Sequence, residues 1–304
     1  MVKDITTRKI QQLLAKNGID VFEITPLYAG FNRKSFSINN EYVLKICVDT
    51  NNEFKIKNEI EFYKKNGGNG FFPRLIAYDD SKSVIPFIYT IEEKIQGTLL
   101  FDLWENMNNS QRIDILNQLL AILKSIHKPV EYKGDYADIV LDIYNKNLEN
   151  CIEKNIFKKE EINYLENLKK IIINSFDDVK MGYIHGDIHF NNIIVNDSGI
   201  KLIDFECYKK APIDLEFDSL NRMIRNPKSF VKNGESGIYY DPREYLMVMD
   251  FFKQAYPSIC QREGFDDRLI IYDILNATRW ISIFPEHQLY REVLFSDTKS
   301  LKLK

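Results

Sequence analysis

Two short motifs near residue 190 constrain the fold more than any other part of the chain. The first, at residues 185–192, reads H-G-D-I-H-F-N-N, and the second, at residues 204–206, reads D-F-E. Two short runs rich in β-branched residues lie between them, separated by the turn-forming sequence N-D-S-G at residues 196–199. This pattern predicts a β-hairpin with Asn192 at its entry and Asp204 at its exit, so that both side chains lie at the same end.

The spacing of Asp187, Asn192 and Asp204 suits phosphoryl transfer from magnesium-bound ATP. One carboxylate must accept the proton of the attacking hydroxyl, and Asp187 fits this role. A second carboxylate and a carboxamide oxygen must hold Mg²⁺ against the phosphates, and Asp204 and Asn192 fit that one. Kinase catalytic loops, H-R-D-L-x-x-x-N followed by D-F-G, have this register. The alternative is a polar loop between two strands, but two motifs in order favour the catalytic interpretation.

At these residues the chain resembles the aminoglycoside phosphotransferase and choline kinase-like family of small-molecule kinases, whose motif is H-G-D-x-H-x-x-N. Gly186 stands where protein kinases carry Arg, and His189 where they usually carry Lys. Residues 211–215, A-P-I-D-L, are similar to the family's P-x-x-D-L segment. Phe190 and Asn191 depart from the Pro-Gly that the family often has there, which bears on the shape of the substrate side.

The resemblance implies an α+β fold of the bilobal, protein-kinase-like type. Residues 1–96 are expected to form a nucleotide-binding lobe with a small antiparallel sheet. Residues 97–304 are expected to form a mainly helical lobe with the catalytic loop and the substrate pocket. In this scheme His185 and His189 support the catalytic loop or the γ-phosphate.

Lys45 and Glu59 are predicted to form an ion pair. Lys45 is the single cation in an apolar strand, reminiscent of the kinase V-A-I-K motif. In the following helix Glu59 lies within about 60° of the apolar stripe made by Ile56, Ile60 and Tyr63. A carboxylate at the edge of a buried face needs a partner, and Lys45 is the natural one. In kinases such a pair positions the α- and β-phosphates. The alternative is a strand lysine that faces water.

The resemblance also implies further nucleotide contacts. Gly30, Asn32 and Ser35 match a loop that covers the phosphates, where backbone N–H groups can hold phosphate oxygens. The backbone carbonyl of Glu93 and the N–H of Ile95 match the segment that binds adenine. An ordinary hairpin and an ordinary loop are the alternatives for these two segments. The expected cofactors are ATP, with GTP as the alternative nucleotide, and Mg²⁺.

The expected acceptor is a small hydroxylated molecule, such as an aminoglycoside or an amino alcohol. Residues 213–304 carry 14 Asp and Glu against 13 Lys and Arg, so this region is nearly neutral. Glu216 and Asp218 are candidates for binding an amine, and Trp280 for an aromatic contact to a quaternary ammonium group. Solvated helix surface and packed core are the alternatives for these three residues. A metabolic kinase of choline, homoserine or sugars, and a catalytically silent kinase fold, stay open.

Composition argues against several classes of protein. A formal net charge of −3 gives no electrostatic footprint for nucleic acid. No run of about 18 apolar residues is present, so no membrane contact is expected and a soluble, cytoplasmic protein is predicted. Four scattered cysteines lack C-x-x-C spacing, which argues against a zinc site or a disulfide framework.

Overall fold

The computed structural model describes residues 5–27, 33–231 and 241–301. The chain divides into two compact units, each built from two segments. The first unit comprises residues 1–122 and 189–209, and the second comprises residues 123–188 and 210–304. The division of function between residues 1–96 and 97–304 stays a prediction.

Helices and strands account for most of the described residues. The helices are α1 (Thr7–Lys16), α2 (Glu53–Asn66), α3 (Leu100–Leu103), α4 (Asn109–Ile126), α5 (Tyr136–Glu153), α6 (Lys159–Asn174), α7 (Asp218–Arg225), α8 (Leu246–Ala255), α9 (Pro257–Cys260), α10 (Phe265–Ile283) and α11 (Gln288–Ser300). The strands are β1 (Ile24–Leu27), β2 (Arg33–Ile38), β3 (Tyr42–Cys47), β4 (Leu75–Asp79), β5 (Tyr89–Glu93), β6 (Thr98–Leu99), β7 (Met181–Ile184), β8 (Ile193–Asn196), β9 (Gly199–Leu202) and β10 (Lys209–Pro212).

A five-stranded antiparallel sheet forms the first unit's framework. Its strand order is β1-β2-β3-β5-β4, so β3 is the central strand. Alternate residues of the strands, among them Leu44, Ile46 and Ile91, are buried against Leu13 and Leu14 of α1. On β3 this alternation points Lys45 to the opposite face from its apolar neighbours Leu44 and Ile46. The register also places Lys45 between Ser35 of β2 and Thr90 of β5.

The hairpin predicted between the two motifs is confirmed. Strands β8 and β9 pair from Ile193 opposite Leu202 to Asn196 opposite Gly199. Gly199 has a φ of +102°, which a residue without Cβ adopts at low cost. At the open end the N–H of Ile203 donates to the carbonyl of Asn192 over 3.0 Å. Asn192 and Asp204 therefore lie next to the same end of the β8–β9 hairpin.

Helices dominate the second unit. The α10 helix buries residues on several sides, among them Arg268, Tyr272 and Asp273. Asp214 ties this helix to the segment after β10, because its carboxylate accepts from Arg268 Nε at 2.5 Å and from the Tyr272 hydroxyl at 2.8 Å. A small sheet of β7 and β10 leads into residue 185. The α+β fold predicted from the sequence, with its antiparallel sheet and helical C-terminal part, is confirmed.

Among the described residues, no helix has the length and apolar character needed to cross a membrane.

Candidate active site

Lys45 lies in an ion-pair cluster with two carboxylates of the first unit. Its Nζ is 2.5 Å from Glu59 Oε1 and 2.6 Å from Glu92 Oε1, and all three side chains are buried. The ion pair predicted between Lys45 and Glu59 is therefore present. Glu92 is an addition that sequence reasoning missed. It follows Thr90, the partner of Lys45 on β5, by two residues and so points to the same face of the sheet.

Burial and the neighbouring charges together shift the pKa values of Lys45 and Glu92. Burial by itself lowers the pKa of Lys45, but the adjacent Glu59 and Glu92 outweigh it and hold that pKa above its ordinary value. Burial raises the pKa of Glu92 to about 7, although Lys45 opposes the shift. Lys45 thus stays a cation at neutral pH, whereas Glu92 titrates near neutral pH.

Arg33, at the start of β2, is a second site residue that sequence reasoning missed. Its guanidinium donates a hydrogen bond to Asp204, and its Nη1 lies 3.3 Å from Glu206 Oε2 and 3.9 Å from Glu59 Oε2. Burial lowers the pKa of Arg33, but Asp204, Glu59 and Glu206 together raise it well above its usual range. Glu206 also pairs with Lys55 at 2.9 Å. Three carboxylates therefore converge on one guanidinium group. Their combined negative charge favours the binding of cations at this site.

The two predicted metal ligands belong to the same unit. Asn192 is buried, and its Nδ2 lies 3.2 Å from Nε2 of His189. This contact orients the Asn192 amide against the His189 ring. The amide oxygen, the atom that binds hard cations, lies on the other branch of the Asn192 side chain. Asp204 has a left-handed φ of +69°, a conformation that Asp tolerates better than most residues and that is common at functional sites.

Among the described residues, no group of three or more His, Cys, Asp or Glu side chains is arranged to hold a metal ion. Mg²⁺ usually takes one or two protein ligands and completes its shell with water and substrate phosphates. A carboxylate at Asp204 and a carboxamide at Asn192 are donors of the type that Mg²⁺ prefers.

The other predicted nucleotide contacts are in part described. Ser35 is buried on β2, directly opposite Lys45. The N–H of Glu93 donates to the carbonyl of Arg74 over 2.9 Å, and Ile95 follows β5 in a half-buried segment. Gly30 and Asn32 lie outside the described residues. The nucleotide-binding roles of all these residues stay predictions.

In the second unit, Asp187 is held by its own loop and by α7. Its Oδ1 accepts a hydrogen bond from Ser219 Oγ at 2.7 Å, and its N–H donates to Nδ1 of the fully buried His185 at 3.3 Å. Between these two residues Gly186 adopts a φ of +81°, where a side chain would be strained. Ser219 was not identified from the sequence, since a lone hydroxyl carries no signal there. The proposed base is thus fixed by contacts with both its side chain and its backbone.

Glu216 binds the backbone of this loop. Its side chain is 0% exposed, and its predicted substrate role stays a prediction. The carboxylate accepts from the N–H groups of His185 at 2.7 Å and Gly186 at 2.9 Å, and lies 2.9 Å from His127 Nε2. Burial alone would raise the pKa of Glu216, but the hydrogen bond and charge of His127 lower it below its ordinary value. Glu216 is therefore an ionised support of the loop.

The other two predicted substrate residues make local contacts. Asp218, the first residue of α7, accepts hydrogen bonds from Arg222 Nε at 3.3 Å and Nη2 at 3.0 Å. Trp280 of α10 stacks on Phe284 and on Tyr290, with ring centroids 5.8 Å and 5.9 Å apart. Their substrate roles stay predictions.

Solved structures of aminoglycoside phosphotransferases have the same fold. ADP-bound APH(2'')-Ib superposes with a TM-score of 0.68 at 16% identity, covering 98% of this chain and 97% of that chain. The streptomycin-ATP ternary complex of APH(2'')-IIa gives 0.66 at 17% identity, with 98% and 97% covered. The GDP complex of aminoglycoside 2'-phosphotransferase-IIIa gives 0.69 at 13% identity, with 97% of each chain covered. At such identities the likeness establishes the shared, kinase-like fold.

The sequence itself places the chain in a family. No curated protein matches it significantly. The family model described as the phosphotransferase enzyme family, APH, matches residues 23–220. Because this match spans more than half of the sequence and includes both motifs, the chain belongs to the phosphotransferase enzyme family.

Proposed function

We propose that this phosphotransferase moves the γ-phosphoryl group of magnesium-bound ATP to a hydroxyl group of a small molecule, with Asp187 as the base. The observation that carries the proposal is the way the Asp187 loop is held. A buried, ionised Glu216 binds two consecutive backbone N–H groups of the loop, and Ser219 binds the Asp187 carboxylate. A base that must meet a hydroxyl in one geometry gains from this fixed orientation.

The ion-pair cluster of the first unit supports nucleotide binding. Lys45 is positively charged at neutral pH, and two buried carboxylates orient its side chain. In kinases a lysine held by a glutamate binds the α- and β-phosphates, and Lys45 with Glu59 is proposed to do so here.

Mg²⁺ fits the donors beside this cluster, because Arg33 contacts both Asp204 and Glu59. Asp204 and Asn192 would hold the ion, which when bound would neutralise charge on the phosphates. The Asp204 carboxylate is paired with the Arg33 guanidinium. A divalent cation bound at Asp204 would replace Arg33 as the positive partner of this carboxylate. Arg33 would then keep its ion pair with Glu206 and be free to bind phosphate oxygens.

The related structures support a nucleotide and a hydroxylated acceptor. They include complexes with ADP, ATP or GDP, and with the aminoglycosides streptomycin, gentamicin or kanamycin. For this chain we propose ATP, with GTP as the alternative nucleotide. The acceptor is proposed to be a small polyhydroxylated molecule.

A panel of acceptors tests the proposal. The purified chain would be incubated with Mg-ATP and separately with aminoglycosides, choline, homoserine, sugars and sugar acids. ADP release and the mass of the phosphorylated product would both be followed. The expected result is acceptor-dependent ADP release with a matching phosphorylated product. If ADP forms at one rate whether or not any acceptor is present, and no product gains a phosphoryl group, the proposal is wrong.

A further inference from the structure

A cavity of about 350 Å³ lies within the second unit, between the end of α7 and helices α10 and α11. Its volume is in the range of small-molecule sites. Its polar lining includes Arg222 and Arg225 of α7, Asp273 and Asn276 of α10, and Tyr290 of α11. Tyr290 is itself braced by stacking on Trp280.

Two hydrogen bonds join this cavity to Asp187. Ser219 Oγ donates to the Asp187 carboxylate at 2.7 Å, and Arg222 Nη2 donates to Ser219 Oγ at 2.8 Å. Arg222 lines the cavity. Only the Arg222 side chain therefore separates a molecule bound beside it from Ser219, which orients Asp187. Asp187 and Ser219 are not among the described residues that line the cavity. If Asp187 is the base, as proposed above, an acceptor anchored beside Arg222 must extend past this side chain to bring its hydroxyl to Asp187.

Three carboxylates pair with the two arginines, namely Asp218 with Arg222, Asp297 with Arg225, and Asp273, which also lines the cavity, with both. Asp273 lies 2.5 Å from Arg225 Nη1, and Asp297 lies 2.6 Å from Arg225 Nη2. The side chains of these two acids are 3% and 5% exposed, whereas those of Arg222 and Arg225 are 27% and 40% exposed. Burial and the nearby Asp218 raise the pKa of Asp273 to about 7, which further weakens the negative charge at neutral pH.

Both arginines keep donors for a ligand. Arg222 uses Nε and Nη2 for Asp218 and Ser219, while Arg225 uses Nη1 and Nη2 for Asp273 and Asp297. Within residues 5–27, 33–231 and 241–301, Nη1 of Arg222 and Nε of Arg225 make no hydrogen bond. A ligand that enters the cavity thus meets guanidinium N–H groups whose direction is fixed by the buried acids behind them.

We propose that this cavity binds the acceptor and selects molecules that carry an oxyanion, a carboxylate or a phosphate group, besides the hydroxyl that is phosphorylated. Guanidinium groups recognise both oxyanions through paired, charge-assisted hydrogen bonds. A polycation would instead place ammonium groups against the guanidinium groups of Arg222 and Arg225, an unfavourable like-charge contact. Asn276 and Tyr290 supply neutral polar groups for the remaining hydroxyls.

Matched ligands that differ in one group test the inference. The first set is glucose, glucosamine, glucuronate and glucose 6-phosphate, and the second is glycerol, 2-amino-1,3-propanediol, glycerate and glycerol 3-phosphate. Binding would be measured by calorimetry with a non-hydrolysable ATP analogue and Mg²⁺ present, and ADP release with Mg-ATP. In at least one set, an acid should bind about 10- to 100-fold more tightly than the matching amine, the effect of a charge-assisted hydrogen bond. The carboxylate and phosphate members of each set show which oxyanion is preferred.

Variants of the cavity give the second arm. Arg225→Gln combined with Asp297→Asn removes the cation while keeping the local charge balance, and should abolish the preference for acids. Arg225→Lys keeps the charge but loses the forked donor, and should reduce the preference partly. Arg243→Gln is the matched control, because the Arg243 side chain is 81% exposed and is not among the described residues that line the cavity. Thermal melting would show that each variant is folded.

The outcomes separate this inference from the proposed function. Amines that bind as tightly as the acids, or no binding in either set, would overturn the inference even if aminoglycosides or other acceptors are phosphorylated. Tight binding of acids without any phosphoryl transfer would support the oxyanion site and contradict the proposed function. Loss of acid preference in the Arg243→Gln control as well would also overturn the assignment to the cavity.

Discussion

Replacing Lys45 by Met should destabilise the first unit strongly, because Lys45 is the shared partner of two buried carboxylates. The side chains of Lys45, Glu59 and Glu92 are 7%, 1% and 4% exposed, and both carboxylates lie within 2.6 Å of Nζ. Removing one partner of a buried pair costs about 3–5 kcal/mol. In a unit of this size each kcal/mol lowers the melting temperature by about 2–4 °C, so we expect a fall of roughly 6–20 °C.

The acid partners should behave differently. Glu59→Gln and Glu92→Gln each leave Lys45 with one carboxylate, so each should cost only about 1–2 kcal/mol near neutral pH. The pKa of Glu92 is raised from 4.5 to about 7 in the fold, so its contribution to stability is complete below 4.5 and is lost as the pH rises through 7. Glu92→Gln removes this titration. The loss in free energy of unfolding of Glu92→Gln relative to the wild type should therefore be smaller at pH 8 than at pH 5.

Thermal and urea unfolding of the three variants at pH 5 and pH 8 would measure these effects. Lys57→Met is the matched control, because Lys57 lies on the exposed face of α2. The reasoning is refuted if Lys45→Met costs no more than Lys57→Met. It is also refuted if Glu92→Gln has the same deficit at both pH values.

Three further predictions concern the residues around the base and the metal ligands. Ser219→Ala should lower kcat about tenfold with little change in KM, as expected for the loss of one orienting hydrogen bond. Ser219→Thr should restore part of the rate. A loss of stability without any change in kcat would contradict a positioning role for Ser219. Arg33→Gln should tighten Mg²⁺ binding to the nucleotide-free protein by roughly tenfold in calorimetry, because the competing cation at Asp204 is gone; unchanged or weaker binding would be evidence against this competition. Glu216→Gln should cost about 2–3 kcal/mol in urea unfolding at pH 7. Since the pKa of Glu216 is lowered in the fold, this deficit should shrink as the pH falls below 4.5, and a constant deficit would argue against an ionised carboxylate.

Local sequence patterns were sufficient for the hairpin and for the Lys45–Glu59 pair. Turn residues between two apolar runs define the β8–β9 hairpin without any tertiary information. The position of Glu59 follows from helical periodicity, and Lys45 was the one cation of a strand that had to pass near that helix. Both inferences depend on elements that are close in the sequence.

The missed residues depend on strand order and tertiary packing. Glu92 reaches Lys45 because β5, and not β4, is the neighbour of β3 in the sheet. Arg33 begins a strand, where a cation ordinarily faces water, and only the approach of Asp204 gives it a site role. The sequence did not reveal that Glu216 supports the catalytic loop, because a carboxylate that follows a catalytic motif has the same sequence pattern whether it faces a pocket or binds the loop backbone.

The central claim is that Asp187 is the base of a phosphoryl transfer, and Asp187→Asn tests it most directly. The measurement is the rate of formation of the phosphorylated product, beside calorimetric binding of Mg-ATP, for the wild type, for Asp187→Asn and for the exposed turn variant Asp197→Asn as control. We expect Asp187→Asn to lower kcat by about 10²–10⁴-fold while nucleotide affinity stays within a few-fold, and Asp197→Asn to change neither. Unchanged turnover in Asp187→Asn would contradict the account.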